Sequence, residues 1–393
     1  MMATRTTTTR TTRAACAPSA DESAHLARHA EYSFADLVRA YFDCRASKRN
    51  SASALAFEER LEENLLQLDD ELRTGTYRPG QSVCFVITRP KPREVWAAAF
   101  RDRVVHHLVY NHIADRFHRA FIADSCACIP GRGTLYAAKR LEAKVRSATE
   151  NWSKPCLYLK ADLANFFVSI DKRILADLLT AKIPEPWLQA LTLQILMHDP
   201  RPGCEVRGDE KQLALIPPHK SLFNQDAHHG LPIGNLSSQF FANVYLNELD
   251  QFAKHRLGAR HYVRYVDDFV ILDPSAEALN WMLAEITEFL PTHLGAHLNP
   301  AKTIIQPAER GIDFVGHVIK RWRRCTRKRT RNAALDRIAG MQRADVYESA
   351  NSTFGLLRQA SHSHHDRAAL AKVLRTRGMA VDNQFTKTFR SPV

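Results

Sequence analysis

Residues His261 to Asp273 read His-Tyr-Val-Arg-Tyr-Val-Asp-Asp-Phe-Val-Ile-Leu-Asp, with two carboxylates, Asp267 and Asp268, set between β-rich runs. Adjacent like charges are unfavourable unless a cation neutralises them, and carboxylate oxygens suit a hard divalent ion such as Mg²⁺. A third acid, Asp162, ends the apolar run that begins at Cys156, and an acid at the end of a core strand is well placed for a metal. Each acid has an ordinary alternative: a solvated turn for the pair, a capping or turn aspartate for Asp162. Basic residues stand on neighbouring turns. Arg93 closes Arg89-Pro-Lys-Pro-Arg93, and Arg132 lies in Pro130-Gly-Arg-Gly133. Guanidinium groups beside an acidic centre grip polyphosphates, although as single residues both also fit solvated loops. Pro130–Gly133 is no Walker loop, because no Gly-Lys-Ser/Thr follows.

The elements that must position these groups are readable from period and punctuation. Tyr262–Val266 and Phe269–Leu272 are rich in strand formers and paired aspartates favour a turn, so a tight β-hairpin with both acids at its tip is expected. Helical spacing runs from about Tyr32 to Thr76, the second helix stopping near Gly75, and a short strand covers Gln81–Thr88. Cys156–Lys160 reads as a buried strand, followed by Asn165-Phe166-Phe167 and a helix opened by Ser169-Ile-Asp171. Residues 199–229, rich in Pro, Gly and His, read as an irregular loop across the site. Gly230-Leu-Pro-Ile-Gly-Asn-Leu-Ser-Ser-Gln239 then opens a long helix, with Ser237 or Ser238 as the expected cap. An amphipathic helix over Glu277–Leu290, a turn at Leu298–Thr303 and a strand pair over Gly311–Ile319 follow. The chain is basic and helical thereafter, to about Arg377, and Ser361-His-Ser-His-His365 reads as helix-capping and surface histidines rather than a metal site.

Composition narrows the partners. In 393 residues, Lys+Arg number 55 against 42 Asp+Glu, a net charge of +13. Such a surplus is the footprint of a polyanion-binding protein, since phosphate contacts dominate nucleic-acid affinity. It is also clustered: Lys320 to Arg331 carries eight basic residues in twelve positions, with Trp322 among them. The eight cysteines show no paired C-x-x-C spacing, so reduced, mostly buried thiols in a cytoplasmic protein are expected. No apolar run approaches the length of a membrane span, and residues 1–20 read as a disordered, weakly basic tail.

Taken in order, seven blocks over roughly residues 50–360 resemble the reverse transcriptases: Lys91-Pro-Arg93 with Asp102-Arg103; Phe121 with Gly131-Arg-Gly133; Asp162 with Phe167; Gly230-Leu-Pro-Ile-Gly234; Tyr265-Val-Asp-Asp268; Leu298 with Lys302-Thr303; and Phe314-Val-Gly316. The resemblance implies an α+β right-hand polymerase fold: fingers, a palm with an antiparallel sheet and the Tyr-Val-Asp-Asp hairpin, and a helical thumb. It places a disordered basic tail over 1–30, N-terminal helices and fingers over 31–155, the palm over 156–319, and a basic thumb with the C-terminal tail over 320–393. By the same resemblance Asp162 and Asp267, supported by Asp268, hold two Mg²⁺ ions about 4 Å apart, with Mn²⁺ as an alternative. Phe167 matches a steric gate against the 2′-hydroxyl, and Lys302 a general acid or triphosphate partner, a plain surface lysine being the alternative. Arg93 and Arg132 would contact the incoming triphosphate. Phe314 and Gly316 match a primer grip, and Lys320, Arg321, Arg323 and Arg324 would begin a thumb that holds template RNA and cDNA.

One block departs from the family. Most relatives carry Pro-Gln-Gly and then Ser-Pro, where this chain has Pro232-Ile233-Gly234-Asn235 and Ser238-Gln239. Ile233 stands where a glutamine amide would contact the nucleotide, and Gln239 replaces proline. The pattern looks like the reverse transcriptases of diversity-generating retroelements, which copy a template RNA with errors at adenines and work with a small basic helical accessory protein. A stand-alone antiphage-defence or retron enzyme shares every catalytic residue, a group II intron protein is normally longer, and a catalytically idle RNA-binding protein fits poorly with three intact acids.

Overall fold

The computed structural model describes residues 31–46, 51–89 and 91–390, so the tail expected over 1–30 lies outside the described residues. Among the described residues ten strands follow one another: β1 (Val83–Ile87), β2 (Arg93–Ala97), β3 (Leu157–Asp162), β4 (Glu205–Arg207), β5 (His261–Tyr265), β6 (Asp268–Asp273), β7 (Ile304–Pro307), β8 (Ile312–Phe314), β9 (His317–Lys320) and β10 (Arg323–Thr326). Helices fill most of the remainder, giving an α+β chain. The described residues divide into two compact units, one within 31–120, 165–245 and 293–296, the other within 121–164, 246–292 and 297–390. Within the second unit β3 finds its partners in β6 and β7, more than a hundred positions along the chain.

In the first unit, Leu65, Leu68 and Leu72 share the buried face of the helix Leu61–Thr74, which Gly75 ends in a left-handed conformation at φ 73°. An additional short helix, Ala52–Glu58, precedes it. β1 and β2 form a hairpin, and β4 adds to β1 in parallel. Residues 199–229 are therefore not wholly irregular, because three of them join this sheet. The long helix runs Leu236–Gln251. Ser237 and Ser238 thus lie inside its first turn instead of capping it, and the buried Ser237 hydroxyl sits 3.2 Å from His106 Nδ1.

The second unit is built on an antiparallel sheet ordered β5-β6-β3-β7. Ala137, Leu141 and Val145 of the helix Thr134–Ala148 pack on Tyr158, Val263, Val270 and Leu272 of that sheet. Strands β8, β9 and β10 form a second antiparallel sheet, whose Ile312, Phe314 and Ile319 join the same core. The segment after residue 320 therefore opens with a strand before it becomes helical. Three helices, Lys328–Gly340, Arg343–Leu357 and His364–Thr376, then close around Ile338, Val346, Phe354, Leu357, Leu370 and Leu374. Seven described cysteines are free thiols, of which Cys44, Cys84, Cys126 and Cys156 are buried. Among the described residues no helix is long and apolar enough to cross a membrane.

Candidate active site

The three sequence-predicted acids meet at one end of the four-stranded sheet. Asp162 is the last residue of β3 and lies in register with Asp268, the first residue of β6. Side chains directly opposite in an antiparallel ladder share a face, and two like charges there destabilise the pair. Asp268 also pairs with Tyr265 of β5, so the hairpin turn contains only Val266 and Asp267. The expectation of both acids at the tip is thus corrected: Asp267 is in the turn and Asp268 belongs to the ladder. The tight turn puts Val266 at φ 55°, a conformation a β-branched residue rarely adopts.

Two supports hold this strained turn. Leu163 donates its N–H to the Asp267 carbonyl at 3.3 Å. Arg264, fully buried, donates from Nη1 to the Val266 carbonyl at 2.9 Å. Its guanidinium is fixed in turn by Asp250, with Nε to Oδ1 at 2.7 Å and Nη2 to Oδ2 at 2.6 Å, and by the Ser125 hydroxyl at 2.9 Å. Tyr262 donates a further hydrogen bond to Asp250 at 2.7 Å. Neither Arg264 nor Asp250 was singled out from sequence. Their signal was there: a lone arginine in an apolar strand and a lone aspartate beside the apolar face of a helix.

Lys302 lies in the turn that follows the helix Ala276–Leu294. The Asp162 carbonyl accepts from Asn299 N–H at 2.7 Å, and Asn299 Oδ1 caps the short 3₁₀ turn Pro300–Lys302 through Ala301 N–H at 3.2 Å. The Lys302 ammonium forms an ion pair with Asp162, while half of its side chain stays exposed. Lys160, two residues before Asp162 on the same face, places its ammonium 3.3 Å from Asp268 Oδ2.

The electrostatics are those of a site short of positive charge. Burial and the neighbouring Asp162 push the Asp267 carboxyl up to about 7. Burial raises Asp268 to about 6, against the opposing pull of Lys160. Asp268 Oδ1 is buried and has no hydrogen-bond partner. A free carboxylate oxygen beside two more hard oxygen donors fits divalent cations of the Mg²⁺ class. Among the described residues no group of three or more acidic, histidine or cysteine side chains is already placed to hold a metal ion.

The remaining predicted residues divide between the two units. In the first, Arg93 is exposed at the start of β2. Ile233, half-buried, has its carbonyl bound to Trp96 N–H of that strand at 2.7 Å. Gly234 sits at φ 129°, and a Cβ there would lie 2.8 Å from the Trp96 carbonyl, so only glycine allows this approach. Leu231 N–H donates to the Phe167 carbonyl at 2.8 Å, which ties the half-buried Phe167 to the same segment. Gln239 is exposed on the helix that follows.

In the second unit, Arg132 Nη1 donates to the Ile122 carbonyl at 2.7 Å and the Ser125 carbonyl at 3.2 Å, bracing its own loop. Two of the predicted nucleic-acid contacts have buried side chains. Phe314 is fully buried in the core, so it supports the Val315–Gly316 turn from within. Arg324 is buried as well; it donates to the Gln359 carbonyl at 2.9 Å and pairs with Glu142. Arg321, Trp322 and Arg323 are exposed at the β9–β10 tip, with Lys320 half-buried beside them.

Paired carboxylates on an antiparallel sheet and an acid-bearing hairpin define the palm of a polynucleotide polymerase. The chain belongs to the reverse transcriptase (RNA-dependent DNA polymerase) family, whose sequence profile matches residues 89–319. Its fold is the α+β right-hand polymerase fold, and its enzyme class is RNA-directed DNA polymerase. The chain is similar to protein YkfC of Escherichia coli strain K12, at 22% identity over 332 residues that cover 76% of this chain and 80% of that protein. It is also similar to the group II intron-encoded protein LtrA of Lactococcus lactis subsp. cremoris, at 21% identity, covering 72% of this chain and 55% of LtrA. Among solved structures, telomerase from Candida albicans in complex with a telomeric RNA fragment aligns with a TM-score of 0.45 and 13% identity, over 85% of this chain and 59% of that one. Apo telomerase from Candida tropicalis aligns with a TM-score of 0.45 and 14% identity, over 67% and 60%. The chain therefore spans little more than half the length of LtrA and about 60% of the telomerase chains.

Proposed function

We propose that the protein extends a primer 3′-hydroxyl with deoxynucleoside triphosphates on an RNA template, and that it does so with low fidelity, as a diversity-generating retroelement enzyme. The observation that carries the polymerase reading is the register of Asp162 against Asp268 with Asp267 in the adjoining turn. Two Mg²⁺ ions held by Asp162, Asp267 and Asp268, or Mn²⁺ in their place, would lower the pKa of the attacking hydroxyl and neutralise the triphosphate. The hydroxyl oxygen attacks the α-phosphorus and pyrophosphate leaves. Lys302, half-exposed, is free to leave Asp162 and to meet the triphosphate or protonate the departing pyrophosphate. Phe167 would exclude a 2′-hydroxyl, and Arg93 and Arg132 would face the phosphates. Gly316, Lys320, Arg321 and Arg323 would contact the template–primer duplex, whose phosphates suit a chain of net charge +13.

Support for low fidelity comes from Ile233. Its backbone is fixed on β2 while its side chain offers no hydrogen bond to the incoming nucleotide, which removes one check on position. Gly234 and Gln239 continue that block. A small basic helical accessory protein would complete the assembly, and free cysteine thiols suit a cytoplasmic setting. Similarity to LtrA favours an intron-type enzyme as a second reading, and a defence or retron enzyme shares the same catalytic set.

Primer extension on a defined RNA template with sequenced products tests the proposal. Extension with dNTPs that Asp267→Ala abolishes supports the polymerase, and errors concentrated opposite adenine that Ile233→Gln suppresses support the diversity-generating role. Accurate extension unaffected by Ile233→Gln leaves the intron-type and defence readings. Function surviving Asp267→Ala would point to an RNA-binding protein.

A further inference from the structure

No role assigned above uses Lys160 beyond its charge. Its side chain is largely enclosed, at 18% exposure, and its ammonium has two partners. One is Asp268 Oδ2 at 3.3 Å; the other is the carbonyl of Asp313 at 2.8 Å. Asp313 is the middle residue of β8, anchored between the fully buried Ile312 and Phe314. The Asp313 carboxylate accepts from Arg327 Nε at 2.9 Å, and the Arg327 backbone N–H donates to the Gly316 carbonyl at 3.0 Å. Arg327 is also the residue that enters the helix Lys328–Gly340.

These contacts form one path: Asp268, Lys160, Asp313, Arg327, Gly316. The turn at its far end needs such a hold. Val315 and Gly316 both have positive φ, at 46° and 84°, and a valine there gives the turn no local preference for its shape. A lysine serving only to offset the Asp268 charge would not require a carbonyl of another sheet as its second acceptor, nor an arginine closing the circuit back to the turn.

We propose that Lys160 is a positioning residue that acts through Asp313 and Arg327 to fix the Val315–Gly316 turn, and the start of the following helix, against Asp268. The primer terminus lying on that turn then meets the acids in register. The inference rests on the polymerase reading above. A displacement of about 1 Å at a reacting centre costs about a hundredfold in rate, so loss of the path should show in turnover rather than in nucleotide affinity.

The test uses the full chain as wild type, Lys160→Met, Lys160→Arg, Arg327→Met and the Lys160→Met/Arg327→Met pair. Turnover, KM for dNTP and Mg²⁺ dependence are measured, together with the fluorescence of a 2-aminopurine at the primer terminus of a bound primer–template without divalent metal. Lys160→Met and Arg327→Met should each lower turnover about 10- to 100-fold with KM for dNTP unchanged, and shift the terminal fluorescence in the same direction. The double variant should cost no more than the worse single one, because both break one path, and Lys160→Arg should recover most of the loss. If Arg327→Met matches wild type while Lys160→Met changes only the Mg²⁺ dependence, Lys160 is a counter-charge and the proposal falls. A lower melting temperature with unchanged turnover and fluorescence would overturn it too. Wild-type extension that Asp267→Ala abolishes keeps the polymerase reading in either case.

Discussion

Replacing Asp250 by alanine should unsettle the catalytic turn from a distance. Asp250 and Arg264 are both fully buried, joined by two hydrogen bonds of 2.7 and 2.6 Å, with the Tyr262 hydroxyl on the same carboxylate at 2.7 Å. Removing one member of a buried ion pair leaves the other charge uncompensated, a loss of about 3–5 kcal/mol. The orphaned Tyr262 hydroxyl adds about 1–3 kcal/mol, although the two are not independent. A total near 5 kcal/mol is comparable with the whole stability of many domains, about 5–15 kcal/mol, so Asp250→Ala should be close to unfolding at 37 °C. Urea denaturation of metal-free protein, followed by circular dichroism, reads this directly. The companion variant Asp250→Leu/Arg264→Met separates stability from function. Replacing both charges with apolar groups of similar volume is often neutral in stability, which leaves only the cost of about 1–3 kcal/mol for the Tyr262 hydroxyl that loses its acceptor. The Val266 carbonyl nevertheless loses its donor, and turnover should fall about 10- to 100-fold because Asp267 is no longer held. A loss below about 1 kcal/mol in Asp250→Ala would refute the buried pair. A double variant as active as wild type would refute its link to the turn.

Four further outcomes are expected. The metal-free acids should give a pH signature: Asp267 near 7 and Asp268 near 6 lie above the unfolded value of about 4, so their protonated forms favour the fold, a contribution complete below about pH 4 that is lost as pH rises from there through 6 and 7. Mg²⁺ binds the ionised carboxylates, so its stabilising thermal shift should be larger at about pH 8 than at about pH 5.5; an equal shift at both would contradict the assignment. Lys302→Ala should tighten cation binding by freeing Asp162, yet reduce turnover by about 10²-fold or more, as single-turnover kinetics would show. Phe167→Ala should erode discrimination against ribonucleotides at least about tenfold, measured as the ratio of kcat/KM values. Trp322, exposed at φ 60° between Arg321 and Arg323, should stack on a base, so Trp322→Ala should weaken single-stranded RNA binding about 5- to 100-fold without altering its salt slope. A changed salt slope would instead mean that a phosphate contact had been lost.

How far the chain could be read depended on the range of the interaction. The two strands flanking Asp267, the strand ending at Asp162, the Pro300–Lys302 turn and the β8–β9 pair follow from local strand preference, turn chemistry and period, and they appear where those signals stand. What local signals do not carry is long-range. Basic density made Arg324 look like a phosphate contact, but Glu142, 182 positions away, and the Gln359 carbonyl draw it inside. The resemblance puts Phe314 in a primer grip, and no local pattern distinguishes a side chain that meets a core from one that meets a duplex. The serines of the long helix were read as caps because their type suits that role; a start at Leu236 moved both inside.

Two of the residues missed share one property, which also explains why the site is built as it is. Lys160 and Arg264 are cations within strands otherwise made for a core, and each gives a hydrogen bond to a backbone carbonyl in or leading into a hairpin turn that has a valine at positive φ. Such backbone states cost about 1–3 kcal/mol and persist only where surrounding structure holds them. A glycine at either place would settle there without help, and the buried cations would then have no carbonyl to restrain. Valine with a buried cation gives a turn that is both shaped and stiff, which a two-carboxylate site requires, because repulsion between Asp162, Asp267 and Asp268 pushes it apart whenever no cation is bound. The prediction that distinguishes this from accident is Val266→Gly. It should leave stability within about 1 kcal/mol, since relief of strain and the added freedom of the unfolded chain nearly cancel. It should also lower turnover and raise the Mg²⁺ concentration needed for half-maximal rate. A Val266→Gly enzyme with wild-type Mg²⁺ dependence and turnover would show that the strain serves no purpose at the site.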